Sequence, residues 1–231
     1  GIEDFGGVAR FATQVRANRQ DAARSGNGSV LISSGDNFLA GPELAAGVAN
    51  GIPFYDTQAL DYLRYDAIQI GNHDFDFGPD FLADFLSGYR NPGNPVYLAS
   101  NLDFSAEPVL QAYADAGVIA PSTVVTTAGE RIGIIGAVTP QLPFISSPRN
   151  VVVSSDIAGI VQVEIDRMTA RGIDKIIFIS HLQDVDEDVA LAAELSGSDI
   201  MIASVGAEML ANPDDLRVPG DAIFGPYPLL P

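Results

Sequence analysis

The sequence predicts a layered α/β fold. Short runs rich in β-branched residues alternate along the chain with amphipathic stretches of helical period, which is the pattern of strands and helices that pack in layers. Hydrophobic residues make up 47% of the 231 positions, which is ample for a sizeable buried core. The chain contains no internal repeat, low-complexity tract or linker, so we expect one domain over residues 1–231 that is incomplete at both ends.

The first half of the chain opens with a predicted helix at 5–24. Val8, Phe11, Ala12 and Val15 lie on one face of it, and the Gly26-Asn27-Gly28 turn ends it. The elements that follow are bounded by turn residues and have strand or helix periods. We predict a strand at 29–34, a helix at 54–64, a strand at 66–70, a helix at 79–86 and a strand at 95–100.

The second half begins with a predicted β-hairpin. Two β-rich runs in "STVVTTAGERIGIIGAV" are joined at Ala128-Gly129-Glu130, and Gly in a short polar connection is the usual hairpin signal. Apolar residues at helical spacing predict a helix at 155–171, and a second helix is predicted at 186–195. "DKIIFIS" and "SDIMIAS" are predicted as two buried strands. The tail from Asn212 is rich in Pro and Gly and offers no terminating element.

Charge and composition exclude several classes of partner. The chain has 12 Lys+Arg against 30 Asp+Glu, and no basic stretch is dense enough to follow a phosphate backbone, so duplex nucleic acid is excluded as a partner. Its apolar runs are too short to cross a bilayer. An anionic small molecule stays open as a substrate if bound metal ions reverse the local field. The acidic composition and the absence of Cys favour an extracellular or periplasmic location.

Polar residues follow three of the predicted strands directly. They occur in "SSGDNF", "GNHDFD" and "SHLQD", and ligands of open α/β sheets bind outside the carboxyl ends of strands. Asp, Asn and His offer oxygen and nitrogen ligands that suit divalent ions such as Mn, Zn or Fe. Each residue also has a plainer interpretation, since Asp36 could bond its own turn and His181 could be a core histidine. His73, which is flanked by Asn72 and Asp74 and followed closely by acids, is less easily explained that way.

The motifs together resemble the calcineurin-like metallophosphoesterases, and within them the 5′-nucleotidase and 2′,3′-cyclic phosphodiesterase group. "GGVARFATQVR", "SSGDNFLAGP", "DAIQIGNHDFDFG", "ASNLDF", "IGIIGAVTP" and "FISHL" match that group in order and spacing, over nearly the whole chain. The resemblance implies a β-sandwich flanked by helices, here without its first strand and its C-terminal part. It also implies hydrolysis of nucleotides or other phosphate esters by water that one or two divalent metal ions activate.

The resemblance assigns roles to five residues. It implies metal ligands at Asp36, Asn72 and His181. It implies that His73 contacts the phosphoryl group in the transition state and that Asp76 orients His73.

Two departures from the family pattern favour a second hypothesis. The Asp-x-His of the family's first strand does not occur in this chain. Where the family has Gly-His-x-His, the chain reads "ASVGAEML", with Val205 and Ala207 at the histidine positions, and neither can bind metal. Glu208, next to them, could contribute an oxygen ligand or serve only as a favourable acid at a helix start. The alternative to a hydrolase is therefore a degenerate, non-catalytic module that keeps the fold for a structural or binding role.

Overall fold

The computed structural model describes residues 6–91, 93–206, 208–217, 220 and 222–230. The helices of these residues are α1 (Val8–Arg24), α2 (Pro42–Asn50), α3 (Tyr55–Leu63), α4 (Pro79–Ser87), α5 (Pro108–Asp115), α6 (Leu142–Ile145), α7 (Ile157–Ala170) and α8 (Val185–Glu194). A short 3₁₀ turn, His73–Phe75, lies between α3 and α4. None of the helices in these ranges has the length and apolar character that crossing a membrane requires.

Two four-stranded sheets form the framework. Their strands, with those of two small two-stranded sheets, are β1 (Ile32–Ser33), β2 (Ala67–Gln69), β3 (Val96–Leu98), β4 (Leu102–Asp103), β5 (Ile119–Ala120), β6 (Ser122–Thr127), β7 (Glu130–Val138), β8 (Val152–Val153), β9 (Ile176–His181), β10 (Ile200–Ala203), β11 (Met209–Leu210) and β12 (Ile223–Gly225). The first sheet has the order β1-β2-β3-β5 and is parallel throughout. The second has the order β10-β9-β7-β6 and is parallel except at the β6–β7 hairpin.

The two large sheets pack face to face and helices cover their outer faces. Ala67, Leu98, Ile134 and Ile179, from β2, β3, β7 and β9, form one buried cluster between the sheets. A second buried cluster joins α4 and α5 to the first sheet, and a third joins α7 and α8 to the second sheet. Sheet on sheet with helices outside is the layered β-sandwich that the resemblance implied, and the α/β prediction is confirmed.

The β6–β7 hairpin shows how local sequence sets this framework. Ala128 and Gly129 have φ values of 47° and 83°, and Thr127 faces Glu130 across the two-residue turn. A two-residue turn with both central φ values positive has the twist that strands of a hairpin require. The predicted hairpin is confirmed, with Glu130 as the first residue of β7.

The other predicted elements are present, with β1 shortened to two residues and smaller shifts at the ends of the rest. The prediction that both late strands are buried is wrong for β10, which contains no buried residue and whose Ile200 is 52% exposed, because it is an edge strand of the second sheet. The predicted helix at 5–24 is α1, although Phe5 lies outside the described residues. The structure adds elements that the sequence pattern did not predict, chiefly α2 and α5. The sequence of α2, "PELAAGVAN", has Gly47 in its interior and lies between Gly41 and Gly51, and glycines at such spacing are more typical of a loop than of a helix. The tail from Asn212, for which no element was predicted, contains β12, and β12 pairs with β11, which precedes the tail.

Candidate active site

The carboxyl ends of β1, β2 and β9 meet at one edge of the sandwich. Asp36 lies three residues after β1, Asn72 three residues after β2, and His181 is the last residue of β9. The side chain of His181 crosses from the second sheet to the first, and its Nδ1 lies 2.7 Å from the carbonyl oxygen of Ser34. The three motifs that the sequence singled out are therefore brought together in space.

The three residues expected to bind metal have converging polar atoms. His181 Nε2 lies 3.1 Å from Asn72 Oδ1 and 3.2 Å from Asp36 Oδ1. His181 and Asn72 are buried, while the Asp36 side chain remains 21% exposed. One side of the cluster is therefore open to solvent at Asp36.

Ser204 helps to fix the tautomer of His181. The Ser204 hydroxyl donates to the carbonyl oxygen of Ser180 over 2.9 Å, and the same oxygen lies 2.8 Å from His181 Nδ1. With the Ser34 carbonyl also facing it, Nδ1 has only acceptors nearby and so carries the proton. The lone pair of Nε2 then faces two oxygen acceptors. Such a set of nitrogen, amide oxygen and carboxylate oxygen fits a divalent cation.

The charges of Asp36 and His181 stabilise each other. Burial raises the pKa of Asp36, but the hydrogen bond to His181 and its charge outweigh burial, so the net pKa is lowered. Burial lowers the pKa of His181, but the hydrogen bond to Asp36 and its charge reverse this, so the net pKa is raised. Without a cation between them, a proton on His181 is favoured at this position.

His73 and Asp76 form a pair on the solvent side of this cluster. His73 Nδ1 lies 2.6 Å from Asp76 Oδ2, and the His73 side chain is 43% exposed. The hydrogen bond that His73 donates to Asp76 raises the pKa of His73, although burial partly opposes it. The backbone N–H of His73 donates to Asp36 Oδ1 over 2.9 Å. The pair is therefore fixed to the ligand cluster and presents an imidazole N–H outward.

A hydroxyl from a distant loop holds Asp76. Ser146 Oγ donates to Asp76 Oδ1 over 3.0 Å. The Ser146 loop is fixed by Arg149, which pairs with Asp80 and, at 2.6 Å, with Glu107. Both oxygens of Asp76 are thus engaged, one by His73 and one by Ser146.

Asp74 ties the first two loops together beneath the site. Its buried carboxylate accepts hydrogen bonds from the backbone N–H of Gly71 at 2.7 Å and of Asn37 at 3.0 Å. The side-chain amide of Asn37 donates to it as well, over 2.9 Å. Burial raises the pKa of Asp74 to about 7, and these donors oppose that rise. The network sets the separation between the Asp36 loop and the Asn72 loop.

Two glycines allow these loops to approach so closely. A Cβ at Gly35 would lie 2.7 Å from His181 Cε1, and a Cβ at Gly71 would lie 2.7 Å from the same atom and closer still to Asp36. Asp36 itself has a φ of 53°, which only a minority of non-glycine residues adopt. The glycines predicted to let the chain turn at the strand ends thus also make room for the site.

In the segment that replaces the family's Gly-His-x-His, Val205 has no group that can bind a metal ion. Val205 is half-buried, and Ala207 lies outside the described residues. The exposed carboxylate of Glu208 lies over Gly206. Within the described ranges, no three His, Cys, Asp or Glu side chains are grouped to hold a metal ion. The donor set at the site accordingly depends on the amide of Asn72.

Sequence reasoning missed Ser34, Asp74, Ser146 and Ser204. Asp74 stands inside the "GNHDFD" motif, so its position there was a signal for it. Ser34 acts through its carbonyl, and the other two lie far along the chain from the residues they contact, so neither spacing nor composition indicated them.

Comparison with known proteins gives the family. No protein-family model matches the chain. The chain is 31% identical to the 5′-nucleotidase of Diplobatis ommata over 99% of its own length and 37% of that relative. It superposes on a 5′-nucleotidase precursor from Thermus thermophilus with a TM-score of 0.80 and 32% identity, covering 97% of this chain and 40% of that one. A calcineurin-like phosphoesterase of Bacillus subtilis shares the fold, with a TM-score of 0.64, 21% identity and coverage of 87% of this chain and 64% of that one.

The fold is one that a calcineurin-like phosphoesterase also has, and the sequence defines the class more narrowly. The chain belongs to the 5′-nucleotidase group, as its motifs suggested. It spans 37% of the length of one such relative and 40% of the other.

Proposed function

We propose that the protein containing this chain is a metal-dependent phosphoric ester hydrolase of the 5′-nucleotidase type. The observation that carries the proposal is the convergence of Asp36, Asn72 and His181 beside an outward-facing His73–Asp76 pair. A cation-binding donor set next to a positioned imidazole suits a reaction in which negative charge develops on phosphate oxygens.

Each residue has a role in this proposal. Asp36 Oδ1, Asn72 Oδ1 and His181 Nε2 would hold a divalent ion of the Mn, Zn or Fe type, with one or two ions per site. Such an ion supplies Lewis acidity that activates water and offsets charge on the phosphoryl group. Asp76 accepts from His73 Nδ1, so the Nε2–H of His73 donates to a phosphoryl oxygen or protonates the leaving oxygen.

The two histidines of the chain provide a matched test of these roles. The chain is assayed with Mn²⁺ on an aryl phosphate, and the rise in melting temperature on adding Mn²⁺ is measured in parallel. His73→Ala is expected to lower the rate by about 10² or more and to keep the thermal shift, because His73 is not a ligand. His181→Ala is expected to lose both. A chelator should abolish the activity of the unmodified chain.

Several results would contradict the proposal. A rate unchanged by His73→Ala, or by the chelator, would remove the assigned mechanism. A thermal shift that survives His181→Ala but not His73→Ala would reverse the two roles. Gln14→Ala, at an exposed position of α1, serves as the control and should change neither quantity.

Nucleotides are the proposed substrates because the relatives are named 5′-nucleotidases. We also propose an extracellular or periplasmic location, on the acidic, Cys-free composition. Residues 1–231 would form a single domain that is part of a longer protein.

The second candidate is a non-catalytic module of the same fold. Val205, which stands where the family has a ligand, favours it, because fewer ligands weaken metal binding. Metal content separates the candidates: less than about one ion per chain at micromolar Mn²⁺, with no thermal shift, supports the non-catalytic module.

A further inference from the structure

The side-chain amide of Gln183 reaches the cluster of expected metal ligands. Gln183 Nε2 lies 3.4 Å from Asn72 Oδ1, the same oxygen that lies 3.1 Å from His181 Nε2. Gln183 is half-buried and stands two residues after His181, just beyond the end of β9. A fourth polar side chain therefore converges on the site that Asp36, Asn72 and His181 form.

The contact between Gln183 and Asn72 is a weak hydrogen bond. N–H···O bonds in proteins usually span about 2.7–3.2 Å, so the separation of 3.4 Å is long. The oxygen and the nitrogen of a Gln amide are nearly equal in size, and half a turn about the last side-chain bond exchanges their positions. The loose contact opposes that rotation only weakly, so Oε1 of Gln183 can face the cluster in place of Nε2.

The spacing of the four polar groups fits the ligands of a single cation. Oxygen and nitrogen ligands at about 2.0–2.2 Å from one ion lie about 2.8–3.6 Å from each other, at the angles of an octahedron or a tetrahedron. His181 Nε2 lies 3.2 Å from Asp36 Oδ1 and 3.1 Å from Asn72 Oδ1, and the Gln183 amide lies 3.4 Å from that Asn72 oxygen. All three distances fall within the range, so the Gln183 amide stands where a fourth ligand would stand.

Gln183 lies beside the segment in which Val205 offers no ligand. β10 runs parallel to β9 and in register with it, so the residues that follow the two strands leave the sheet side by side. A Cβ on Gly206 would lie 3.6 Å from Asp184 Cα, which shows that the turn after Gln183 packs against this segment. Gln183 thus approaches the site from the same end of the second sheet at which Val205 stands.

The backbone of Gln183 is fixed at the start of α8. Asp184 caps that helix by accepting from the backbone N–H of Glu187 over 2.8 Å. The carboxylate of Glu187 accepts in return from the backbone N–H of Gln183 over 3.1 Å. Because the main chain is already held, a cation has to order only the side-chain torsions of Gln183, which limits the entropic cost of binding.

We propose that Gln183 is a fourth protein ligand, through Oε1, of the divalent ion that Asp36, Asn72 and His181 would hold. The inference rests on the proposed metal-dependent function and adds a ligand that the family resemblance does not assign. Asp36 is the only anionic member of this set, since the amides and the imidazole are neutral. The bound ion therefore keeps a net positive charge, which favours an anionic phosphate ester.

Two substitutions of Gln183 test this inference, and neither measurement needs a substrate. The affinity for Mn²⁺ is measured by calorimetry. The imidazole nitrogens bound to Mn²⁺ are counted by electron spin echo spectroscopy, with Mn²⁺ kept below the concentration of the chain. The melting temperature in the presence of a chelator shows whether each variant folds like the unmodified chain.

Gln183→Ala is expected to weaken Mn²⁺ binding by about tenfold or more, because the ion loses an oxygen ligand. Gln183→His has a side chain of similar reach that offers nitrogen instead of oxygen. It should therefore add a second coordinated imidazole to the one that His181 supplies. Gln14→His places the same residue at an exposed position of α1 and should change neither the affinity nor the nitrogen count.

The outcomes separate this inference from the proposed function on which it rests. If Gln183→Ala bound Mn²⁺ as tightly as the unmodified chain, the inference would be overturned and the hydrolase proposal would stand. Weaker binding in Gln183→Ala with no added nitrogen in Gln183→His would mean that Gln183 acts only through its hydrogen bond to Asn72, which also overturns it. An unmodified chain that binds no Mn²⁺ and hydrolyses no aryl phosphate would refute both.

Discussion

Replacement of the buried Asp188 by Asn is expected to change how stability depends on pH. Asp188 lies in the first turns of α8, is 4% exposed, and shares a hydrogen bond with the hydroxyl of Ser180, which precedes His181. Its second oxygen, Oδ2, has no hydrogen-bond partner within the described part of the chain. Burial raises the pKa of Asp188 to about 6, and the charges of Glu187 and Asp184 add to the rise.

The direction of the effect follows from this raised pKa. The folded state prefers the neutral acid, so the contribution of Asp188 to stability is complete below pH 3.8 and is lost as the pH rises through about 6. The difference between 3.8 and about 6 corresponds to about 3 kcal/mol at most. Asn keeps the size and the hydrogen bond to Ser180 but has no charge to bury. The stability of the Asp188→Asn variant is therefore not lowered in this way as the pH rises.

Urea unfolding in the presence of a chelator measures the effect at pH 4 and pH 7.5. Relative to the unmodified chain, Asp188→Asn should gain about 2–3 kcal/mol in free energy of unfolding between the two pH values. Asp186→Asn removes an exposed carboxylate from the same turn and should show little such gain. Equal pH dependence in the two variants would refute the reasoning.

Two further substitutions test the geometry of the site. In Gly71→Ala, the new Cβ would press against Asp36 and lie 2.7 Å from His181 Cε1. The variant should lose about 1–3 kcal/mol in free energy of unfolding, measured with urea, and should show no thermal shift with Mn²⁺. Gly41→Ala, whose Cβ meets the flexible end of Glu43 at 3.4 Å and the Leu39 carbonyl oxygen at 3.9 Å, should keep that shift. A shift retained by both variants would contradict the close approach at Gly71. Ser204→Ala removes an acceptor from His181 Nδ1 and should weaken Mn²⁺ binding by about 10-fold or more in calorimetry; unchanged affinity would mean that the Ser34 carbonyl alone sets the tautomer.

The strands and the residues at their ends could be predicted from the sequence because both signals are local. β-branched apolar runs mark β2, β7 and β9, and polar residues after a strand of a parallel sheet are directed to one edge. The α2 helix was missed because Gly47 interrupts it and Gly41 and Gly51 bound it, and closely spaced glycines are typical of a loop.

The contacts that orient the site residues depend on tertiary structure. Ser146 reaches Asp76 only because Arg149 holds its loop against Glu107, and Ser204 reaches His181 only because β10 lies beside β9 in register. None of these pairs has a spacing that a helix or a hairpin would impose. A single sequence therefore offers no physical signal for such pairs. They become visible only when the folded backbone, which brings the two residues together, is known.

The polar cluster at the edge of the sandwich spans both layers, since Asp36 and Asn72 follow strands of the first sheet and His181 ends a strand of the second. A cation bound there would link the two layers, because it would have ligands from both sheets. Metal binding would then stabilise the chain against any opening that separates the two sheets. It would have little effect on fraying within either sheet. Amide hydrogen exchange in β2 and in β9 should consequently slow by similar factors when Mn²⁺ is added. The two sheets would then open as one cooperative unit rather than independently.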